Sequence, residues 1–283
     1  MIPKKLFFPV GGGDELEERL YGALLVAKHY NTHLEILVSR PNVVSTIPQG
    51  IGISEDILKR LEKIYLENLE EDEQEDIQLL QKCAKKLGVK ISDVPIEGEC
   101  SVSIKEKVGV RSELVKERSK FCDMVVVAAP PKGQPTATFE SAVNCSGKPV
   151  TIIPRKLESF NPKRIIIGWN NSPEASRAIS EAIPMMQRAS AVHIVSSEEY
   201  TTPTLSRIRK LRDYLKLHEI ETTFEIIKTT FIPGEALLRA ANDGGFDLIV
   251  AGAYSHKGIR ERFLGGSSKY ILTHTKIPTF VSH

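Results

Sequence analysis

The chain has 283 residues, and 38 lysines and arginines against 36 aspartates and glutamates leave a formal net charge of only +2. This near balance argues against a nucleic-acid binder that depends on electrostatic attraction. Hydrophobic residues make up 41% of the chain and charged residues 26%, a composition typical of globular proteins rather than disordered, fibrous or membrane-embedded ones. At roughly 100–200 residues per domain, the length predicts about two domains.

Cysteine usage and the N-terminal sequence indicate the compartment. No Cys-x-x-Cys pair occurs among Cys83, Cys100, Cys122 and Cys145. This spacing favours neither a zinc cluster nor a thioredoxin-like motif, and it fits a reducing compartment. The N-terminal apolar run LFFPV is too short for a signal peptide, and no window approaches the roughly 18 apolar residues of a transmembrane helix. We therefore expect a cytoplasmic protein that has no membrane partner.

The first part of the chain alternates apolar runs with helical patterns. Leucines and alanines recur at helical spacing in Glu15–His29, and a further helix is predicted at Arg111–Lys120. Runs bounded by Gly, Pro or Asp and rich in apolar residues predict buried strands, and their lack of alternation favours a parallel sheet. These strands are Lys5–Val10, Leu34–Val38, Met124–Ala128 and Pro149–Ile153.

The second part of the chain has the same alternation. Ser172 is a good N-cap for a helix over Pro173–Arg188, because Pro173 takes the first helical position and Glu174 lies in the first turn. Two more helices are predicted at Leu205–Leu217 and Gly234–Asn242. The predicted strands are Arg164–Gly168, Val192–Ser196, Phe224–Ile227, Leu248–Ala251 and Pro278–Val281.

The two parts correspond element by element. Asp123 and Asp247 each precede an apolar strand and lie 124 positions apart, whereas the first strands lie 159 positions apart. The first half therefore holds an insertion of about thirty residues, which we place within Asn42–Gln81, where the acidic run at Glu70 predicts a solvated helix face or a break. The polar segment Arg155–Lys163 is the predicted linker, so we expect domains at 1–154 and 164–283.

Strand–helix alternation of this kind predicts the fold class. Each half has the order of a doubly wound α/β fold with right-handed crossovers. We therefore expect two tandem Rossmann-like domains, each with a mostly parallel sheet of five strands.

In such sheets, ligands bind at the carboxyl ends of the strands. Gly252 ends a predicted strand of the second half, and Gly265-Gly266-Ser267-Ser268 comes directly before an apolar helical pattern that begins at Tyr270. Glycines and small hydroxyls at a helix N-terminus form an anion cradle, because N–H groups are exposed and no Cβ obstructs them. A helix cap with a tight turn is the alternative interpretation.

The second half resembles the universal stress protein family. The resemblance rests on Trp169-NNSPEASRAI, on Pro233-GEALLRAANDGGFDLIVAGAY, and on the step from Gly252 to Gly265 that ends in Ile277-PTFVSH. Over the first half it is weaker and rests on Phe139-ESAVNCSGKPVTIIP and on the order of elements. The whole chain is thus similar to family members that have two such domains in tandem.

The resemblance implies that ATP, together with Mg²⁺, binds the second half. It places the phosphates at Gly252, Ser255, Gly265, Gly266, Ser267 and Ser268, and the base or ribose near Asn170 and Ser172. Three residues depart from the family pattern: Ser255 replaces the second glycine, Gly266 replaces the first hydroxyl, and Asn170 replaces an aspartate. In the first half, Ala129-PPKGQPTATFES has no matching glycine pair, and its prolines remove N–H donors, so we expect no phosphate site there.

The sequence contains no evident catalytic constellation. The histidines show no H-E-x-x-H spacing, and no serine lies in a nucleophile elbow, so we expect neither a metal site nor an enzyme. The favoured function is a stress-response protein that binds or senses an adenine nucleotide. A protein with decayed sites that acts through partner contacts is the first alternative, and a slow ATP hydrolase is the second.

Family members commonly dimerise through their final strands, and this chain has two of them, Pro149–Pro154 and Pro278–Ser282. The simplest way to protect an exposed edge strand is to pair it with a second strand of the same chain, because the covalent link keeps the two strands at high effective concentration. We expect these strands to pair antiparallel within one chain and to form a pseudo-two-fold unit. A swapped dimer is the alternative, and a homodimer of whole chains stays open.

Overall fold

A computed structural model of the chain describes residues 2–10, 15–40, 54–197, 204–227, 233–253, 270–271 and 273–283. Within these ranges strands and helices alternate along the chain. The strands are β1 (Lys5–Val10), β2 (His33–Arg40), β3 (Lys90–Ile91), β4 (Ser101–Val108), β5 (Met124–Ala128), β6 (Val150–Ile153), β7 (Arg164–Gly168), β8 (Ala191–Ser197), β9 (Thr222–Ile227), β10 (Leu248–Gly252) and β11 (Thr279–Ser282). The helices are α1 (Leu16–Tyr30), α2 (Glu55–Leu87), α3 (Arg111–Arg118), α4 (Ala137–Cys145), α5 (Pro173–Met186), α6 (Thr204–Leu217) and α7 (Pro233–Asp243).

All of these strands belong to one sheet, in the order β3-β4-β2-β1-β5-β6-β11-β10-β7-β8-β9. Every pair in it is parallel except β6 with β11. Read outward from that pair, both halves have the same arrangement, in which the first strand of the half lies between its second strand and the next-to-last strand of that half. The predicted α/β fold with a mostly parallel sheet is confirmed, and the two expected sheets are continuous with each other.

The first half contains two strands that the sequence analysis did not list, β3 and β4. Strand β4 was missed because its sequence, SVSIKEKV, is rich in serine and charged residues. The hydroxyls of Ser101 and Ser103 are nevertheless buried, and each lies within hydrogen-bond distance of a ring nitrogen of His33 on β2, at 2.8 and 3.1 Å. Buried polar groups are tolerated when they are paired in this way.

The predicted insertion contains α2, which runs without a break through the acidic segment at Glu70. Its sequence consists largely of Glu, Lys, Leu and Gln, which are strong helix formers. The helix ends at Gly88, which takes a left-handed conformation with φ 67°. Residues 42–53 of the predicted insertion lie outside the described residues.

The linker contributes apolar side chains to the core. Leu157 and Phe160 are buried, and the Phe160 ring meets the His29 ring of α1 edge-on at 5.2 Å between centroids. From the other half, Met185 of α5 accepts a hydrogen bond from the Tyr30 hydroxyl. A single buried cluster on this face of the sheet includes residues of both halves. The linker therefore contributes to a buried core that the two halves share, and it is not a solvated connection between them.

The β6–β11 pair joins the two halves. Thr279 lies opposite Ile152, Phe280 opposite Thr151, and Val281 opposite Val150. The structure thus has the antiparallel pairing within one chain that the sequence predicts. Because this join reverses the strand direction, the carboxyl ends of the strands in the two halves lie at opposite edges of the continuous sheet.

The β6–β11 register can be tested with a designed disulfide. Directly opposed residues of an antiparallel pair have Cα atoms about 4.5–5.5 Å apart, within the range of a disulfide bond. We expect Val150→Cys with Val281→Cys to form an intrachain disulfide under mild oxidation, in a background where the exposed Cys145 is replaced by serine. Non-reducing electrophoresis and intact mass would detect it as a cross-linked monomer.

The matched control pairs Val150→Cys with Thr279→Cys, which are diagonal in this register and lie about 7–8 Å apart. This control should cross-link much more slowly. If the opposed pair instead gives covalent dimers of two chains, β6 and β11 pair between chains, and the intrachain junction is wrong.

Candidate functional site

The candidate site lies where β7 and β10 end. These two strands are neighbours, and their onward connections lead to opposite sides, because β8 lies beyond β7 while β11 lies beyond β10. The register places Ala251 of β10 opposite Gly168 of β7. This is the topological switch point of the second half, the place where doubly wound sheets open a crevice for ligands.

Gly252 lets the N-terminus of α5 approach the end of β10. A Cβ atom at Gly252 would lie 2.5 Å from the backbone nitrogen of Ala175 and 2.9 Å from the carbonyl carbon of Glu174. Real Cβ atoms do not approach backbone atoms this closely, so a side chain there would displace the helix. Close packing alone therefore explains a glycine at this position, whether or not a ligand binds nearby.

Ser172 and Asn170 form the turn between β7 and α5. The Ala175 N–H donates to Ser172 Oγ at 3.1 Å, which confirms Ser172 as the N-cap. The Ser172 N–H donates to Asn170 Oδ1, also at 3.1 Å. Both residues are half-buried, and these two bonds leave unused the Ser172 hydroxyl hydrogen and the two N–H donors of the Asn170 side chain.

Trp169 adds a donor that the sequence analysis did not consider. Its backbone is fixed by two hydrogen bonds, because its N–H donates to the Val195 carbonyl and its own carbonyl accepts from Ser196 Oγ, both at 2.8 Å. Its indole N–H is buried and has no partner among the described residues. Buried donors are normally paired, so Trp169, the residue that follows β7, carries one unsatisfied donor.

Glu174 sets the electrostatics of the helix end. Its carboxylate lies in the first turn of α5, is only 15% exposed, and pairs with Arg177 at 3.5 Å. An acidic side chain here interacts favourably with the helix dipole and offsets the attraction that the N-terminus has for an anion. The N-terminus of α5 is thus already capped and neutralised, so it is a poor place for a phosphate group.

The structure brings part of the predicted residue set together. Gly252 and Ser172 lie beside the same backbone N–H, that of Ala175, and Asn170 is bonded to Ser172. Residues 270, 271, 273 and 274 are helical, as the apolar pattern predicts, and Ile271 is buried. The remaining predicted residues lie outside the described residues, and they are Ser255, Gly265, Gly266, Ser267 and Ser268.

Two further searches cover only the part of the chain that the structure describes. No group of three or more His, Cys, Asp or Glu side chains is placed there to hold a metal ion. None of the helices in these ranges has the length and apolar character needed to cross a membrane.

Comparison with known proteins gives a family match in the second half. Residues 161–283 match the model of the universal stress protein family. A search of curated proteins gave no significant match.

Structural similarity extends over nearly the whole chain. A universal stress protein from Archaeoglobus fulgidus DSM 4304 superposes with a TM-score of 0.70 at 16% identity, over 98% of this chain and 97% of that one. A functionally unknown protein from Pseudomonas aeruginosa PAO1 gives a TM-score of 0.55, also at 16% identity, over 99% and 92%. Identities this low show the fold alone, so the first half shares the fold of these proteins, and its membership of the family is not shown.

The close approach at Gly252 generates a stability prediction. We expect Gly252→Ala to lower the free energy of unfolding by about 1–3 kcal/mol, as overpacking of a tight interior does, because the new Cβ meets backbone atoms that cannot rotate away. Denaturant unfolding followed by circular dichroism would measure the change.

Gly168→Ala is the matched control, since it adds the same methyl group to the neighbouring strand at the same edge. Its Cβ would meet Leu237 Cδ2 at 2.6 Å, the end of a side chain that can change rotamer, so a smaller loss is expected. Equal losses in the two variants would contradict the claim that α5 rests on the Gly252 backbone.

Proposed function

We propose that the chain is a tandem universal stress protein that binds ATP in its second half and acts in a stress response without dedicated catalysis. One observation carries the proposal: Gly252 ends β10 at the switch point of a half whose residues 161–283 match the family. The sequence that follows has glycines and small hydroxyls before a helix, the composition of a phosphate cradle.

The proposed site divides into two regions. The ATP phosphates, with Mg²⁺, would lie on the segment from Gly252 to the start of the helix at residue 270, on the backbone N–H groups and small side chains of Ser255, Gly265, Gly266, Ser267 and Ser268. The base or ribose would lie near Asn170 and Ser172. Donors support this second assignment, because the Asn170 amide, the Ser172 hydroxyl and the Trp169 indole N–H all belong to the same turn.

The first turn of α5 constrains where phosphate can bind. Its cap and the Glu174 carboxylate leave it unsuited to an anion, so the phosphates would depend on the loop that ends at Ser268. This dependence makes Gly265 the most informative position for mutation.

A second candidate function is a protein that acts only through contacts with a partner, its nucleotide site having decayed. The hydrogen bonds that Asn170 and Ser172 already make favour it, since each side chain is used to hold the turn. Copurified nucleotide in the recombinant protein would support ATP binding over this alternative.

The proposal includes the absence of efficient catalysis and a cytoplasmic location. The first is supported by the sequence, in which no nucleophile with a positioned base is recognisable, and the second by the scattered single cysteines, which fit a reducing compartment. We expect ATP turnover well below roughly 1 s⁻¹, the lower end of the usual range for enzymes. Phosphate release measured at saturating ATP would test this, and turnover on the order of 1 s⁻¹ would favour the slow-hydrolase alternative.

Isothermal titration with Mg²⁺–ATP tests the site. We expect saturable binding to the unaltered protein and at least a tenfold weaker Kd for Gly265→Val, because a branched side chain would block the approach of a phosphate to the backbone. The control Gly98→Val makes the same change in an exposed loop of the first half and should bind ATP as the unaltered protein does.

Thermal unfolding must show that both variants are folded. If the unaltered protein shows no saturable binding up to about 1 mM ATP, where the binding free energy would be only about −4 kcal/mol, the nucleotide proposal fails and the partner-contact function remains.

A further inference from the structure

A pocket of about 480 Å³ lies at the junction of the two halves. The first half lines it with the last turn of α1 and with the residues at which β5 and β6 begin. The second half lines it with the end of α5 and with Phe280 of β11, and the linker adds Pro162 and Lys163. This volume is within the range of small-molecule sites, which occur preferentially at domain interfaces.

The inner wall of the pocket is apolar and well anchored. Tyr30, Met124, Met185 and Phe280 line it, and all four belong to the buried cluster that both halves share. The Tyr30 hydroxyl donates to the Met185 sulfur at 2.7 Å, so the walls from the two halves are joined directly. An apolar ligand body on this wall would therefore contact both halves at once.

Prolines restrict the remaining walls. A proline ring fixes φ, so a segment that carries one has little freedom to collapse into an adjoining space. A pocket with walls that are already ordered loses less conformational entropy when a ligand binds. Four prolines line this pocket, and they are Pro3, Pro149, Pro162 and Pro184.

Three cations from separate segments also line the pocket. Lys148 precedes β6, Lys163 ends the linker, and Arg188 follows α5. We call these three residues the basic rim. Lys163 Nζ donates to the Arg188 carbonyl at 3.4 Å, which keeps two of the three segments together. Because the rim is assembled from distant parts of the chain, no local sequence pattern indicates it.

The basic rim makes the electrostatic potential on the α1 side of the pocket positive. Burial lowers the pKa of His29, and the positive charges of Arg188 and Lys163 lower it further. The charge of Arg188 also acts on Tyr30, where it opposes the rise in pKa that burial causes. A negatively charged ligand group beside these residues would be attracted to the rim.

The acidic residues of the pocket limit the charge that a ligand can carry. Asp123 Oδ2 accepts from the backbone N–H groups of Lys4 and Lys5, at 2.7 and 3.0 Å. Partial burial raises the pKa of Glu181, and the hydrogen bond with Ser282 opposes this effect. Among the described residues that line the pocket, three cations face two carboxylates, an excess of one positive charge. A monoanion balances this excess, whereas a polyphosphate would exceed it.

We propose that this pocket binds a small organic monocarboxylate with an apolar body. The body lies on the wall formed by Tyr30, Met185 and Phe280, and the carboxylate lies at the basic rim. None of the described residues proposed for ATP, which are Asn170, Ser172 and Gly252, lines this pocket. The proposal is therefore independent of nucleotide binding.

Isothermal titration of octanoate into the full chain tests the proposal. We expect saturable binding at one site, with a Kd that tightens by up to about fourfold for each methylene added from hexanoate to octanoate. Acetate, which has the charge without the body, should show no saturable binding. Octylammonium, which has the body with the opposite charge, should bind at least tenfold more weakly than octanoate.

A second carboxylate distinguishes the two kinds of apolar body. 4-Phenylbutyrate has the same charge as octanoate but ends in an aromatic ring. Tighter binding of 4-phenylbutyrate than of octanoate assigns an aromatic carboxylate to the site, and weaker binding assigns an alkyl one.

Glutamine variants test the basic rim. Lys148→Gln and Arg188→Gln should each weaken octanoate about three- to fivefold, the size of effect expected for a partly solvated ion pair. Arg209→Gln is the matched control, because it removes the same charge from an exposed position of α6 outside the pocket, and it should stay within about twofold. Circular dichroism checks that all three variants fold.

Methionine methyl signals locate the ligand without any mutation. Met124 and Met185 line the pocket, whereas Met186 is buried next to Met185 in sequence and does not line it. In protein labelled with ¹³C at the methionine methyl groups, octanoate should shift the signals of Met124 and Met185 and leave that of Met186 in place.

Three outcomes would overturn the proposal. The first is the absence of saturable octanoate binding up to about 1 mM. The second is equal affinity for octanoate and octylammonium, or equal weakening by Arg188→Gln and Arg209→Gln, which would mean that the rim does not recognise the carboxylate. The third is an equal shift of the Met124, Met185 and Met186 signals, which would indicate a general effect of a surfactant on the core.

Discussion

In each half of the chain the last strand lies at one end of the strand order, so β6 and β11 would both present unpaired N–H and C=O groups to water if the halves were separate. Pairing them antiparallel satisfies both edges at once and makes the sheet continuous. The covalent link keeps the effective concentration of the two edges high. The buried linker residues Leu157 and Phe160 add apolar contact on one face. This junction also determines the direction of the strands in each half, so the carboxyl ends of the two sets of strands point in opposite directions.

The junction also separates the two switch points in space, although both arise in the same way. Each lies between the first strand of its half and the next-to-last strand of that half, whose onward connections lead to opposite sides. What differs is the chemistry brought to each switch point. In the second half it is a glycine at a helix end with a small polar turn, Trp169–Ser172. In the first half it is a set of arginines, Arg19, Arg111 and Arg155, and a proline-containing loop before α4. Fold and position are shared, and ligand preference depends on side chains.

Much of the fold could be predicted from the sequence because buried parallel strands are continuous apolar runs. The predicted bounds of β1, β5 and β7 agree with the structure to the residue, and Ser172 caps α5 as its position indicates. Strand β4 could not be recognised, because its buried serines are stabilised by His33, a residue 68 positions away from Ser101. The same reason explains why the three arginines near the carboxyl end of β1 were not grouped from the sequence. Local patterns report local structure, whereas Arg19, Arg111 and Arg155 meet only after the sheet has formed.

The candidate ATP residues show the opposite problem, in which residues match a family motif but are also required by the fold. Gly252 fits a phosphate loop by sequence, yet the backbone of α5 fills the space that a Cβ would need, so packing requires the glycine independently of any ligand. Ser172 and Asn170 likewise satisfy a cap and a turn before they can serve a nucleotide. A residue that the fold already requires gives little information about function when it matches a family pattern. Residues whose local energetics are unfavourable give more, and the buried Trp169 indole N–H is of that kind.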